Sequence, residues 1–181
     1  MKKRIIKINN ENYKKVYRRI KYYKYLNDEF EFKYSIDFKY KKDFDKVLKA
    51  LNMKDKYERY SYIYDEVCDY LDDLFINKNV CEFSDNKCYS NRCKNFEKTC
   101  GCCSNNRGIA CRYFAVDHCT IRCSGCKFYI CPVLKKKRGP IRMKDIPLAY
   151  YFLNDRQKIV LRYTVFTPKE EIVKRLIKFR L

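Results

Sequence analysis

From Glu29 to Tyr40 apolar and polar side chains alternate without a break. Phe30, Phe32, Tyr34, Ile36, Phe38 and Tyr40 share one parity; Glu29, Glu31, Lys33, Ser35, Asp37 and Lys39 share the other. Strand side chains point alternately to two faces, so this period predicts a half-buried strand or hairpin arm with an aromatic face. Such a face needs a helix or second sheet above it. Residues 4–8 (RIIKI) suit a second short strand. Elsewhere the apolar positions recur at helical spacing. Asn10 can cap a helix carrying Tyr13, Val16, Tyr17, Ile20 and Tyr23 along one side. Residues 42–52 repeat the pattern through Phe44, Val47, Leu48 and Leu51, and residues 57–76 through Tyr60, Ile63, Tyr64, Val67, Leu71, Leu74 and Phe75. Residues 144–153 and 155–165 read as wholly or partly helical. Thr167-Pro168-Lys169-Glu170 reads as a helix start, with Thr167 capping, Pro168 in the first turn and Glu170 closing a capping box. Ile172, Val173, Leu176 and Ile177 then face a core.

The expected fold is α+β: helices with a short aromatic-faced antiparallel sheet, plus a loop-rich cysteine module stabilised by metal. Three regions follow. Residues 1–79 form a basic α+β part, residues 80–134 the cysteine module, and residues 135–181 a basic helical segment packing on the rest.

The module rests on cysteine placement. Eleven of 12 cysteines fall between Cys81 and Cys131, together with the single histidine, His118. Crowded thiols are held by disulfides or by metal. The N-terminus is basic, but no apolar run or small-residue cleavage site of a secretory signal follows. No stretch is long and apolar enough to span a membrane. The expectation is a reducing, cytoplasmic setting, where such clusters are metal sites. Cys68 lies apart, beside a helical apolar stripe, and reads as a small core residue.

The candidate ligands are Cys81, Cys88, Cys93, Cys100, Cys102, Cys103, Cys111, Cys119, Cys123, Cys126 and Cys131. Tetrahedral zinc takes four N or S ligands, commonly as two close pairs. Cys123-x2-Cys126 suits one pair, because Ser124-Gly125 gives a tight turn whose backbone N–H groups can point at sulfur. Eleven thiols exceed one tetrahedral set, so two Zn²⁺ ions or a polynuclear site are expected. His118 is a further candidate, although it adjoins Cys119. The alternative is a [4Fe-4S] cluster, which thiolates suit equally well.

Two resemblances bear on this choice. Cys119-x3-Cys123-x2-Cys126 resembles the iron–sulfur triplet of radical-SAM enzymes, but Gly125 replaces the usual aromatic and only 55 residues follow Cys126. Residues 100–132 resemble YkgJ-type zinc- or iron-chelating proteins. Cys102-Cys103, Cys111-Arg112-Tyr113-Phe114, Cys119-Thr120-Ile121 and Cys126-Lys127-Phe128-Tyr129 match that pattern in order. The expected Arg-Pro pair is absent, Cys123 is extra and the last spacing is shorter. This resemblance implies metal chelation and no particular reaction.

Charge adds a partner. The chain carries a formal +20. Residues 1–60 and 132–181 each contribute +10, while residues 61–131 are neutral. An AT-rich genome also enriches lysine, but the run Lys135, Lys136, Lys137, Arg138, continued by Arg142 and Lys144, follows the cysteines directly. Basic side chains beside a rigid knuckle suit RNA or DNA, with Tyr113, Phe114, Phe128 and Tyr129 available for stacking or for the module's own small core. No phosphate loop, metalloprotease helix or nucleophile elbow is present, and Asp69, Asp72 and Asp73 read as a solvated helix face. A closed four-thiolate zinc site leaves no open coordination position, so the reading leans towards a binding or adaptor module without catalysis.

Overall fold

The computed structural model describes residues 5–9, 11–30, 32–36, 42–82, 84, 89, 112–113 and 120–180. Strand β1 (Ile5–Ile8) leads to helices α1 (Tyr13–Arg18) and α2 (Ile20–Phe30), then strand β2 (Lys33–Ile36). Helix α3 (Lys42–Asn52) precedes α4 (Lys56–Asp72), which runs on into a wider π turn at Asp73–Asn77. After the cysteine-rich stretch come α5 (Ser124–Phe128), α6 (Pro132–Arg138), a 3-10 turn (Met143–Asp145), α7 (Pro147–Phe152), α8 (Asp155–Tyr163) and α9 (Lys169–Lys178).

The two strands are parallel, with Ile5 opposite Lys33 and Ile8 opposite Ile36. This corrects the expected antiparallel sheet. Two helices lie between the strands and carry the chain back, which is the connection a parallel pair requires. The alternation also overstated the strand. Glu29 and Phe30 belong to the end of α2, and only residues 33–36 are strand; residues 37–41 lie outside the described set. Helix α2 persists because its tertiary contacts outweigh the local period: Ile20 is buried and Tyr23 packs on the core. The outer edge of β2 is satisfied by Asn52, whose side chain accepts from the Tyr34 N–H at 2.9 Å and donates to the Tyr34 carbonyl at 2.9 Å.

Helix α4 is the central element. Asp55 caps it by accepting from the Glu58 N–H at 2.7 Å. Tyr60, Ile63, Tyr64, Val67, Cys68 and Leu71 are all buried along it. Cys68 is thus a core residue. Helix α9 packs on α4, α8 on α5, and α7 on α3, and one buried cluster runs from Ile8 to Leu176. Helix α9 starts one residue later than the sequence suggests. Pro168 takes the cap position, no side chain caps the helix, and Thr167 instead donates to the Val165 carbonyl at 3.1 Å. Among the described residues no helix is long and apolar enough to cross a membrane.

Candidate metal centre and its basic surroundings

The segment Cys123-Ser124-Gly125-Cys126 is a tight turn into α5, seated between α4 and α8. Three kinds of contact hold it there. The buried Ser124 hydroxyl donates to the Leu161 carbonyl at 2.9 Å, and the Tyr64 hydroxyl donates to the Arg122 carbonyl at 3.0 Å. A Cβ at Gly125 would stand 2.2 Å from the Thr164 carbonyl oxygen, so only glycine lets the turn close on the backbone after α8. The flanking cations reach carboxylates of α4. Arg122 meets Asp69 at 2.8 Å and both Asp65 and Asp72 at 3.5 Å, and the buried Lys127 pairs with Asp72. Lys169, at the start of α9, closes on Asp65 at 2.7 Å. The acidic side of α4 is therefore a docking surface; Asp69 and Asp72 are not an idle solvated face.

Cys123 is buried and lies in hydrogen-bonding contact with the Cys126 thiol. That contact, joined by the backbone N–H groups of Cys126, Phe166 and Thr167, holds the Cys123 thiol well below its ordinary value and outweighs the opposing effect of burial. As a thiol it faces the Thr164 carbonyl at 3.5 Å. Phe166 adopts a left-handed backbone, φ +53°, rare for an aromatic residue. That kink brings successive N–H groups round to the sulfur, an arrangement that receives anionic charge. Cys68, on the buried side of α4, behaves oppositely. Burial pushes its thiol up to about 11.

Cys123 and Cys126 therefore hold two sulfurs together on one turn, a pair that could serve as metal donors. Cys131 is buried at the start of α6, and Cys81 is buried four residues after α4's extension ends. Cys81, Cys123, Cys126 and Cys131 are all thiols. Among the described residues no three Cys, His, Asp or Glu converge as a metal set. Cys88, Cys93, Cys100, Cys102, Cys103, Cys111, Cys119 and His118 lie outside the described residues.

The basic run divides in two. Lys137 and Arg138 both grip Glu82, at 3.0 and 2.6 Å, and Lys137 also lies 3.8 Å from the Tyr89 ring centroid. These two side chains staple the residues just after Cys81 to α6, and their charge is already engaged. Lys135, Lys136, Arg142 and Lys144 are exposed. Of the proposed stacking residues, Phe128 is buried in the core and Tyr129 is exposed. Tyr113 stacks on Phe166 at 5.8 Å, and Phe114 lies outside the described residues. The sequence reading passed over Tyr163 and Phe166, which are 68% and 58% exposed. Their signal was available: both are aromatic, and both follow the buried positions Val160 and Leu161 out of phase with that stripe. Comparison with family models, curated proteins and solved structures finds no match.

Proposed function

We propose that this chain is a metal–thiolate protein whose cysteine-rich segment folds around structural zinc. On this reading a nearby cationic surface uses the rigid module to bind nucleic acid. The observation that carries the metal reading is the Cys123–Cys126 turn. Two sulfurs sit together on one turn, backbone N–H groups stabilise negative charge on the first, and the turn is fixed to the helical body on three sides. Zinc takes thiolates, and a second pair of cysteines would complete a tetrahedral set. Cys81, Cys131 and the seven cysteines from Cys88 to Cys119 are the available donors. A set closed by four thiolates has no position for substrate water, which fits a binding or adaptor role better than an enzyme. Exposed Lys135, Lys136, Arg142 and Lys144 supply phosphate-seeking charge in a cytoplasmic setting.

Metal analysis of protein purified without oxygen tests this. The expected result is a colourless protein with about two equivalents of zinc, reduced by about one in Cys123→Ser/Cys126→Ser. A brown protein bleached by dithionite would put a [4Fe-4S] cluster in place of zinc. Metal-free protein that stays folded in chelator and carries half-cystines by mass would end the metal reading altogether.

A further inference from the structure

Among the described residues, the face of α8 and the turn that follows it combines exposed aromatic rings with arginines. Ile159 and Tyr163 lie four residues apart on α8 and are 57% and 68% exposed. Phe166, three residues after Tyr163, is 58% exposed. The Phe166 ring stacks on Tyr113 with an interplanar angle of 21°, and the Arg112 guanidinium lies 4.7 Å from the Tyr113 ring centroid. The Arg162 guanidinium lies 5.8 Å from the Tyr163 centroid. Thr120 fixes the Arg112–Tyr113 turn, since its N–H and its hydroxyl both donate to the Tyr113 carbonyl, at 2.8 and 2.9 Å.

Three considerations narrow what this surface takes. Five cations near the knuckle are already paired: Arg122, Lys127 and Lys169 with α4 carboxylates, Lys137 and Arg138 with Glu82. Arg112 and Arg162 have no carboxylate partner among the described residues. Their charge is presented beside the exposed rings of Tyr163 and Phe166, and that combination suits a partner that is both anionic and flat. Bases of a single strand stack on aromatic rings while guanidinium groups neutralise the phosphates between them. A duplex hides its base faces and would gain only the charge. The left-handed backbone at Phe166 supplies the last point. Its N–H serves the Cys123 sulfur while its ring is turned outward, so one strained residue joins the thiol pair to the exposed ring.

We infer that Arg112, Tyr113, Arg162, Tyr163 and Phe166 form a stacking platform for single-stranded nucleic acid. The inference rests on the nucleic-acid part of the function proposed above and moves its centre from the lysine run to this face.

The test uses the full chain with its native metal and fluorescein-labelled oligo-dT and oligo-U of about a dozen nucleotides, a length within the usual single-strand site sizes. Phe166→Gly removes the ring while suiting the positive φ, so the fold and the metal content should persist. Loss of one base stack predicts roughly tenfold weaker binding for Phe166→Gly and again for Tyr163→Ala. Arg162→Gln should reduce the slope of log affinity against log salt by about 0.7. A duplex of the same length should bind more weakly than the single strand and be indifferent to Phe166→Gly. The platform is overturned if the parent binds no single strand at low salt. It is overturned equally if Lys135→Gln/Lys136→Gln weakens binding while Phe166→Gly and Tyr163→Ala do not; the broader nucleic-acid reading then survives alone. Self-association abolished by Phe166→Gly, with no oligonucleotide binding, would assign the face to a second copy of the chain and also overturn it. Single-strand binding with these sensitivities in a protein devoid of metal would support the platform while removing the metal reading.

Discussion

Replacing Gly125 by alanine should separate the thiol turn from the helical body with one methyl group. The added Cβ would lie 2.2 Å from the Thr164 carbonyl oxygen, 2.7 Å from its carbonyl carbon and 3.2 Å from its nitrogen. All three are backbone atoms, so no side chain can swing aside. Relief to ordinary contact needs a displacement of about 1 Å or more. The turn after α8 and the buried Ser124–Leu161 hydrogen bond share that displacement. Overpacking of this kind costs about 1–3 kcal/mol, and weakening the hydrogen bond about 1 more. The sum, about 2–4 kcal/mol, corresponds to a fall in Tm of about 4–16 °C for a chain of this size. The same shift draws the Phe166 and Thr167 N–H groups from the Cys123 sulfur; if the turn holds zinc as proposed, the metal should pass to a chromogenic chelator faster. Gly139→Ala is the control. Nothing lies within 4 Å of its Cβ position, and its φ of +80° makes the cost one of backbone strain alone, about 1–2 kcal/mol. Chelator resistance should then match the parent. Thermal melts and chelator exchange on the three proteins decide the matter. If Gly125→Ala keeps both the parent's Tm and its exchange rate, the close approach of Thr164 does not hold this turn.

Further outcomes follow from the same contacts. Asp72→Ala strands the buried Lys127 and should destabilise the protein by about 3 kcal/mol or more by urea denaturation. Lys127→Met should cost less, because Asp72 keeps Arg122 at 3.5 Å; equal costs would deny the pair its asymmetry. Burial is the leading cause that raises the Tyr34, Tyr62 and Tyr64 hydroxyls and lifts Cys68 to about 11. Each group is neutral in both states below its unfolded value, so its contribution is intact there. Above pH 9 for the thiol and 10 for the phenols the unfolded chain ionises first, and stability falls by up to roughly 1.4 kcal/mol per pH unit and group until the folded value is reached. Part of the tyrosinate absorbance should therefore rise in a cooperative step with loss of helix; gradual ionisation of all 18 tyrosines with helix intact would contradict this. Glu82→Gln should make the chain near Cys81 more open to proteolysis, and the difference should vanish in acid, because Lys137 and Arg138 hold the Glu82 carboxyl below its ordinary value. Equal cleavage at neutral pH would argue against the staple.

What was legible in the sequence follows from how local each cause is. Helices α3 and α4 obey their own apolar periods, and Phe44, Val47, Leu51, Ile63 and Leu71 are buried as that spacing requires. The alternation around β2 states which residues share a face but is silent on strand direction, which depends on how the chain between β1 and β2 returns. At Thr167 the residue types suit a cap, yet the preceding turn has taken that hydroxyl for the Val165 carbonyl. The turn at Cys123 shows the same division. A tight Ser-Gly turn with an N–H aimed at sulfur could be read from four residues. That Gly125 is demanded by Thr164, and that two further N–H groups arrive from Phe166 and Thr167, could not, because the contact joins segments some 40 residues apart. Lys137 and Arg138 looked like free charge for the same reason. Their partner Glu82 is 55 and 56 residues upstream.

That clasp on Glu82 has an architectural consequence. With Glu82 bound to α6 and Arg122 bound to α4, the helical body is closed on both sides of residues 83–119 by its own contacts. A chain span whose two ends are already fixed adds to the entropic cost only with the logarithm of its length, about 0.6 kcal/mol per doubling. Provided the contacts of Tyr89 with Lys137 and of Tyr113 with Phe166 are kept, the scaffold can therefore accept spans of differing length and cysteine spacing between the same two anchors. Evolution, or a protein engineer, could exchange the cargo while leaving the clasp in place.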